Sequence, residues 1–109
     1  MLTPTVPKGR PVLKITIRFF THLREIVGKR EESVEFPSNE KINVNNVLKT
    51  LTKRYGKDFE DYLCDPKTGK MKSYLQLFVN GRNVTDLNDL ETKLEDGDVL
   101  AIIPPVGGG

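Results

Sequence analysis

The group in this chain best suited to chemistry is the carboxylate that follows Pro104-Pro105-Val106-Gly107-Gly108-Gly109. A terminal glycine leaves the carboxylate unshielded, because it has no Cβ that would block a narrow slot. The two prolines cannot extend a strand ladder, and they favour an extended path. Six residues reach at most about 20 Å, so the sequence predicts a tail that can enter the active site of another protein. The alternative interpretation of these residues is an ordinary frayed terminus or a remnant of an expression vector.

Other reactive residues are scarce. The chain has one cysteine, Cys64, and one histidine, His22, whereas iron–sulfur clusters and structural zinc sites need about four ligands. We expect Cys64 to be a buried or neutral surface thiol rather than a nucleophile, and His22 to cap or cover a short helical turn. Asp96 and Asp98 are expected to form a turn rather than an acid/base pair. The sequence therefore predicts no catalytic residue, no metal site and no bound cofactor.

Composition narrows the class of protein further. The chain has 109 residues, which suits one domain, with 37% hydrophobic residues, 29% charged residues and a net charge of +2. The charges are mixed along the chain without a basic stripe, so nucleic acid is a poor candidate for a direct partner. Neither a membrane span nor a secretory signal is visible in the sequence. Together with the single cysteine, these features predict a cytoplasmic protein without a membrane partner.

The first third of the chain predicts two strands joined by a short helix. Residues 1–11 contain three prolines and are expected to form a flexible leader. Apolar and polar residues then alternate over 13–19, which is typical of a half-buried strand. A short helix is expected over 21–27, ended by Gly28, followed by a second strand over 31–36.

The clearest helix comes next. Asn43 is a suitable N-cap, Lys53 and Arg54 suit the negative C-terminal end, and Gly56 suits the position after the helix. The apolar residues recur at helical spacing and form a core-facing stripe: Val44, Val47, Leu48, Leu51 and Tyr55. Residues 57–73 are polar and rich in turn signals, and we expect one helical turn there, around Phe59, Tyr62 and Leu63.

The last third of the chain predicts strands joined by tight turns. Residues 75–79 form a strand, and Asn80-Gly81 is a strong hairpin signal because both residues tolerate positive φ angles. A short partner strand is expected over 82–84, a single helical turn over 86–90 and a reversal at 96–98. The final strand, 99–103, is apolar throughout, as expected of a strand with neighbours on both sides and a covering helix. This order of elements predicts an α+β fold.

The order of elements and three motifs resemble the β-grasp, ubiquitin-like family of sulfur carriers and protein modifiers. The motifs are Phe78-Val79-Asn80-Gly81-Arg82-Asn83-Val84, Leu94-Glu95-Asp96-Gly97-Asp98-Val99, and Pro104-Pro105-Val106-Gly107-Gly108-Gly109. The family includes the small subunit of molybdopterin synthase, the thiazole-synthesis sulfur carrier, small archaeal modifiers and the ubiquitin-related modifier.

The resemblance implies a mixed sheet of four to five strands packed on one main helix. It divides the chain into a leader (1–11), a β-grasp domain (12–103) and a tail (104–109). The leader and the long segment 57–73 depart from the family's pattern.

The resemblance also implies a function for the tail. In such proteins a ubiquitin-activating-type adenylyltransferase uses ATP to adenylate the terminal carboxylate, here that of Gly109 preceded by Gly108. Pro104, Pro105, Val106 and Gly107 would thread into that enzyme. Sulfur from a donor then gives a thiocarboxylate, for molybdopterin synthesis or tRNA thiolation, or a lysine of a target protein gives an isopeptide bond.

Recognition of the domain is expected on the sheet. Leu75, Leu77 and Val79 share one face of their strand, so Phe78 lies on the other. By resemblance to ubiquitin, Phe78 falls at the apolar recognition patch, with Ile103 beside it. The alternative is that Phe78 belongs to the core or is covered by residues 57–73.

Two other functions remain open at this stage. The chain could be the small subunit of molybdopterin synthase, which donates thiocarboxylate sulfur within a stable complex with the large subunit. It could also be a ubiquitin-like interaction module with an idle tail, in which case loss of Gly108 and Gly109 would leave function intact.

Overall fold

A mixed sheet forms the framework of the structure, a computed structural model that describes residues 12–104. The strands in chain order are β1 (Val12–Phe19), β2 (Glu31–Pro37), β3 (Ile42–Asn43), β4 (Gln76–Val79), β5 (Arg82–Asn83), β6 (Lys93–Leu94) and β7 (Val99–Ile103). The helices are α1 (His22–Val27), α2 (Val44–Tyr55) and α3 (Lys57–Leu63), with 3₁₀ turns at Val84–Asp86 and Asp89–Glu91. The division into a leader, a domain and a tail stays a prediction, because residues 1–11 and 105–109 lie outside the described part.

The sheet contains five strands in the order β2-β1-β7-β4-β5. Strands β1 and β7 run parallel, whereas the other neighbouring pairs are antiparallel. The prediction of a mixed α+β, β-grasp sheet is confirmed. The last strand lies between β1 and β4, as its apolar sequence indicated.

Strand β1 shows how the alternating sequence builds the two faces of the sheet. Ile15, Ile17 and Phe19 are buried, whereas Lys14 and Arg18 are exposed. Because successive side chains of a strand point to opposite faces, one face meets the helices and the other stays open. The buried residues of all the described elements form one core cluster.

Helix α2 begins and ends where the sequence predicts. The side chain of Asn43 accepts a hydrogen bond from the Asn46 amide at 2.8 Å, and the Asn43 amide donates to the Asn46 side chain at 2.9 Å. This reciprocal pair satisfies amides that have no partner within the helix. Gly56, with a φ of +83°, ends the helix. The predicted apolar stripe is buried apart from Tyr55, which is half-buried.

The helical turn expected around Phe59, Tyr62 and Leu63 is present, and it extends to about two turns. Residues 57–63 form helix α3, and its Phe59 and Leu63 are 0% and 2% exposed. The polar composition did not indicate the full length of this helix. Its two buried residues lie four positions apart, on one face, and the rest face outward. After α3, the backbone of Cys64 pairs with that of Met71, which closes a loop over residues 65–70.

Two further details differ from the expectation. The single helical turn predicted over 86–90 is replaced by the two 3₁₀ turns, the first of which begins earlier because the Asn83 side chain accepts from the Thr85 amide at 3.0 Å. Strands β3 and β6, which the sequence did not predict, pair as a separate two-stranded sheet. Two-residue strands have no readable periodicity.

The Asn80-Gly81 turn and the 95–98 turn are joined by side chains. Asn80 and Gly81 have φ angles of +52° and +85°, as the hairpin signal predicts. The Asp98 carboxylate accepts from the Asn80 side-chain amide at 2.9 Å and from the Glu95 backbone amide at 2.8 Å. Asp96 accepts from the Lys14 amide at 2.8 Å. These bonds fix how β7 enters the sheet. Asp98 closes its own turn, as predicted, whereas Asp96 ties this turn to β1.

No helix within residues 12–104 is long and apolar enough to cross a membrane.

Candidate functional site

The end of β7 sets the point from which the tail leaves the domain. Strand β7 ends at Ile103, and Pro104 is the last residue that the structure describes. The other predicted tail residues, Pro105, Val106, Gly107, Gly108 and Gly109, lie outside the described part. Because β7 is hydrogen-bonded to β1 on one side and β4 on the other, the base of the tail is held at the centre of the sheet.

Phe78 and Ile103 lie on the same open face of the sheet, opposite the helices. Phe78 is directly opposite Ala101, and Gln76 is opposite Ile103. Phe78 and Ile103 are therefore diagonal neighbours, a separation of about 7–8 Å that an aromatic side chain can span. Both side chains are half-buried.

The alternative placement of Phe78 in the core does not hold. Side chains on the opposite face of the same strands belong to the core: Leu77, Val79, Leu100 and Ile102. Phe78 is not among the core residues. Helix α3 does not cover Phe78 either, because Phe59 and Leu63 join the core on the helix side. Phe78 thus faces away from the core.

The structure adds Phe20, a residue that the sequence analysis left aside. Phe19 pairs with Ile102 at the end of β1, and Phe20 and Ile103 each follow this pair by one residue. The guanidinium carbons of Arg18 and Arg24 lie 5.7 and 5.6 Å from the centre of the Phe20 ring. These are cation–π distances. Arg24 also donates through Nε to the carbonyl of Phe19 at 3.0 Å.

Together these side chains form an apolar surface beside the base of the tail, which we call the sheet patch: Phe20, Phe78, Ala101 and Ile103. Two arginines, Arg18 and Arg24, flank it. The signal for Phe20 was its position one residue after the buried Phe19, which places it on the opposite face if the alternation continues. The signal for Arg24 was its position four residues after Phe20, in the predicted short helix, a spacing that brings side chains together.

Cys64 lies outside the sheet patch, on the helix side, and is half-buried. Burial raises the pKa of its thiol, the Glu60 carboxylate adds to this shift, and Lys72 opposes it. Because this pKa is raised, the neutral thiol dominates near neutral pH. The thiolate is the nucleophilic form, so Cys64 is a weak nucleophile there. Within residues 12–104, no group of three or more His, Cys, Asp and Glu side chains is placed to hold a metal ion.

His22 begins α1 and its side chain is 68% exposed. Its Nδ1 lies 3.4 Å from the Glu25 carboxylate, and its ring is centred 6.1 Å from that of Tyr62. Burial raises the pKa of Tyr62, while a hydrogen bond to Thr21 opposes the shift. His22 therefore lies at the surface beside Tyr62 of α3.

Comparisons with known proteins agree with one another. The ThiS family matches residues 17–109. Small archaeal modifier protein 3 of Haloferax volcanii is 33% identical over 101 residues, which cover 89% of this chain and 100% of that protein. The molybdopterin synthase sulfur carrier subunit of Drosophila erecta is 29% identical over 99 residues, 91% of this chain and 94% of that protein.

A solved structure supports the same grouping. The solution structure of small archaeal modifier protein 1 from Methanosarcina acetivorans superposes with a TM-score of 0.70 at 30% identity. The superposition covers 91% of this chain and 99% of that chain. The five-stranded sheet, the position of α2 and the central last strand are therefore those of a β-grasp protein.

Proposed function

The chain belongs to the ThiS family and is a ubiquitin-like sulfur carrier or protein modifier, and we propose that its reactive group is the carboxylate of Gly109. The family match carries this proposal, because it runs from residue 17 to residue 109 and so includes the glycines of the tail. In this proposal the domain supplies recognition and a partner enzyme supplies the catalytic groups.

The proposed chemistry begins with activation by ATP. A carboxylate is a poor electrophile, so an adenylyltransferase joins a Gly109 carboxylate oxygen to the α-phosphate of ATP and releases pyrophosphate. The terminal sulfur of a donor-protein persulfide then displaces AMP to form an acyl disulfide. A second thiol cleaves the sulfur–sulfur bond of that intermediate, which releases the thiocarboxylate and leaves a disulfide on the donor. Alternatively, an enzyme thiol displaces AMP to form a thioester, and a lysine amine of a target protein displaces that thiol to form an isopeptide bond.

The sheet patch is the proposed docking surface for the activating enzyme. It lies on the face that the helices leave open, and Ile103 connects it directly to the tail. Aromatic and arginine side chains are the types that most often dominate binding energy at interfaces. Phe78, Phe20 and Arg24 provide both types within one surface.

A second candidate is the small subunit of molybdopterin synthase. The observation that favours it is the similarity over nearly the full length to the Drosophila sulfur carrier subunit. In that case the thiocarboxylate would be consumed within a stable complex with a large subunit. Both candidates share the adenylate, so they differ only in the fate of the activated carboxyl group.

Mass spectrometry of the reaction products separates these fates. The purified protein is incubated with ATP, the activating enzyme from the same source and a sulfur donor, after its intact mass has verified that the mature chain ends at Gly109. Replacement of one oxygen by sulfur identifies a carrier, and branched glycine remnants on lysines of other proteins identify a modifier. Stoichiometric co-purification with a large subunit, together with the thiocarboxylate, favours the synthase subunit. Absence of any ATP-dependent change at Gly109 would refute the proposal.

Deletion of Gly109 provides the matched test on the chain itself. We expect this variant, and to a lesser degree Gly109→Ala, to lose transfer while its thermal unfolding stays unchanged, since the tail comes after the last strand. Loss of Gly108 and Gly109 without any effect on function would instead support an interaction module with an idle tail.

A further inference from the structure

A second surface lies on the helix side of the molecule. A groove of about 700 Å³ runs between α2 and the segment from Glu60 to Met71. Its floor is apolar and consists of side chains that are buried or half-buried: Leu48, Leu63, Cys64, Met71 and Leu90. None of these belongs to the sheet patch, which lies on the other face of the sheet.

The rim of this groove is positively charged. Lys49, Lys53 and Lys70 line it and are exposed, whereas Glu60 is the one carboxylate in its lining. The ion pairs found among residues 12–104 involve other lysines, Lys29 and Lys57. Three ammonium groups thus surround an apolar floor without an acidic partner from the described part of the chain.

One wall of the groove is a regular helix face. The lining residues of α2 recur at helical spacing over two turns: Asn45, Leu48, Lys49, Thr52 and Lys53. Eight residue steps of 1.5 Å make this wall about 12 Å long. An open groove of this length beside a helix suits a second helix that lays its apolar stripe along the floor.

We propose that this groove binds an amphipathic helix of a partner protein whose apolar stripe is flanked by acidic residues. The acidic flanks would meet Lys49, Lys53 and Lys70 while the stripe covers Leu48, Met71 and Leu90. This binding goes beyond the proposed activation of the tail. Because the groove and the sheet patch lie on opposite sides of the sheet, one molecule can hold both partners at once.

A second copy of the chain is a weaker occupant. One acidic surface that it could offer lies along α1 and α3, at Glu25, Asp58 and Asp61. Two of these carboxylates already have partners, since Lys57 lies 3.4 Å from Asp61 and His22 lies 3.4 Å from Glu25. An external acidic helix therefore gives the better charge match.

The test uses designed helical probes and the full-length protein. A fluorescent peptide of about three helical turns carries leucines along one stripe and glutamates on both flanks, and a matched peptide carries lysines in place of the glutamates. We expect the acidic peptide to bind and the basic one not to bind, as measured by fluorescence anisotropy.

A variant with reversed charges at the rim of the groove tests whether the lysines attract the acidic peptide. The double substitution Lys49→Glu and Lys53→Glu should weaken binding of the acidic peptide by about tenfold, since each reversal replaces an attraction with a repulsion. Lys14→Glu is the control, because Lys14 is exposed on the open face of the sheet. Circular dichroism melts verify that the variants remain folded.

Cys64 gives an independent readout at the floor of the groove. It is the chain's single cysteine, so the rate of alkylation by iodoacetamide reports on one site. Saturation with the acidic peptide should slow this reaction at least severalfold.

Three results would overturn the proposal. These are equal binding of the two peptides, unchanged binding to the double variant, and alkylation of Cys64 at the same rate with peptide bound. Concentration-dependent self-association that the double variant abolishes would assign the groove to a second copy instead. Adenylation of the tail should be the same in the double variant as in the unmodified protein. If the groove does not bind the acidic peptide, the proposed function of the tail is therefore unaffected. If the tail is not adenylated, the proposed helix binding in the groove is likewise unaffected.

Discussion

The two faces of the sheet are built from the same strands but differ in how far the described part of the chain buries them. On the helix face of β7, Leu100 and Ile102 are 0% exposed. On the open face, Val99, Ala101 and Ile103 are only half-buried, although they are just as apolar. Among the described residues, helices cover the first face, whereas no helix covers the second.

This difference indicates what each face contributes. Burial of apolar surface within the chain stabilises the fold, so the helix face contributes to folding. Apolar side chains that residues 12–104 leave partly exposed can mark a surface for another molecule, which is why we propose that the open face contributes to recognition. Substitutions on the two faces should therefore separate stability from activity.

The largest effect on stability is expected at Leu100. Leu100→Ala removes a fully buried side chain and should lower the free energy of unfolding by about 2–5 kcal/mol. Ile103→Ala, in the same strand but on the open face, should lower the free energy of unfolding by a smaller amount. Urea denaturation of both variants measures the difference. Equal losses would mean that the open face is as much a part of the core as the helix face.

The opposite pattern is expected at Phe78. Phe78→Ala should lower kcat/KM for adenylation by about thirtyfold, which corresponds to about 2 kcal/mol for a central interface aromatic, with little loss of stability. Tyr74→Ala is the control, because Tyr74 is 53% exposed and lies outside the sheet patch. If both variants are activated equally well, the sheet patch is not the docking surface.

A smaller effect is expected at the start of α2. Asn43→Ala removes the side chain that accepts from the Asn46 amide, and should cost about 1 kcal/mol of unfolding free energy. Asn43→Ser should retain most of the stability, since serine also caps helices. Thermal melts compare the three proteins, and adenylation should not change because the cap is on the helix side. Failure of serine to restore stability would argue against a capping role.

The smallest effect concerns the thiol on the helix side. Because burial raises the pKa of Cys64, its thiolate should be scarcer near neutral pH than that of a cysteine in an unfolded peptide. Alkylation in the folded protein should therefore be slower, and should accelerate as pH rises through the raised pKa. A pH profile of the alkylation rate, with the urea-unfolded protein as reference, measures this. A folded-state profile shifted to lower pH would contradict it.

Much of the fold was predictable because its signals are local. Asn43 begins α2 through hydrogen bonds to Asn46, three residues away, and Gly56 ends it through its own positive φ angle. Asn80 and Gly81 form their turn for the same reason. Alternation in β1 and in β4 assigned Ile15, Leu77 and Phe78 to their faces before any neighbour was known. The tail was also evident in the sequence, but its described part stops at Pro104, so the assignment of Gly109 stays a prediction.

The errors came from residues whose environment depends on distant parts of the chain. Helix α3 is polar by composition, yet Phe59 and Leu63 are buried because the core accepts them. Strands β3 and β6 exist because residues about 50 positions apart pair at Ile42 and Leu94.

The sequence by itself determined the caps, the turns, the faces of the strands and the character of the tail, because these depend on backbone conformation and on the spacing of nearby side chains. Only the tertiary structure decided which strands are neighbours, that Phe20 joins Phe78 and Ile103, and that a lysine-rimmed groove opens beside α2. These features depend on contacts between residues far apart in the chain, and no local propensity encodes such contacts.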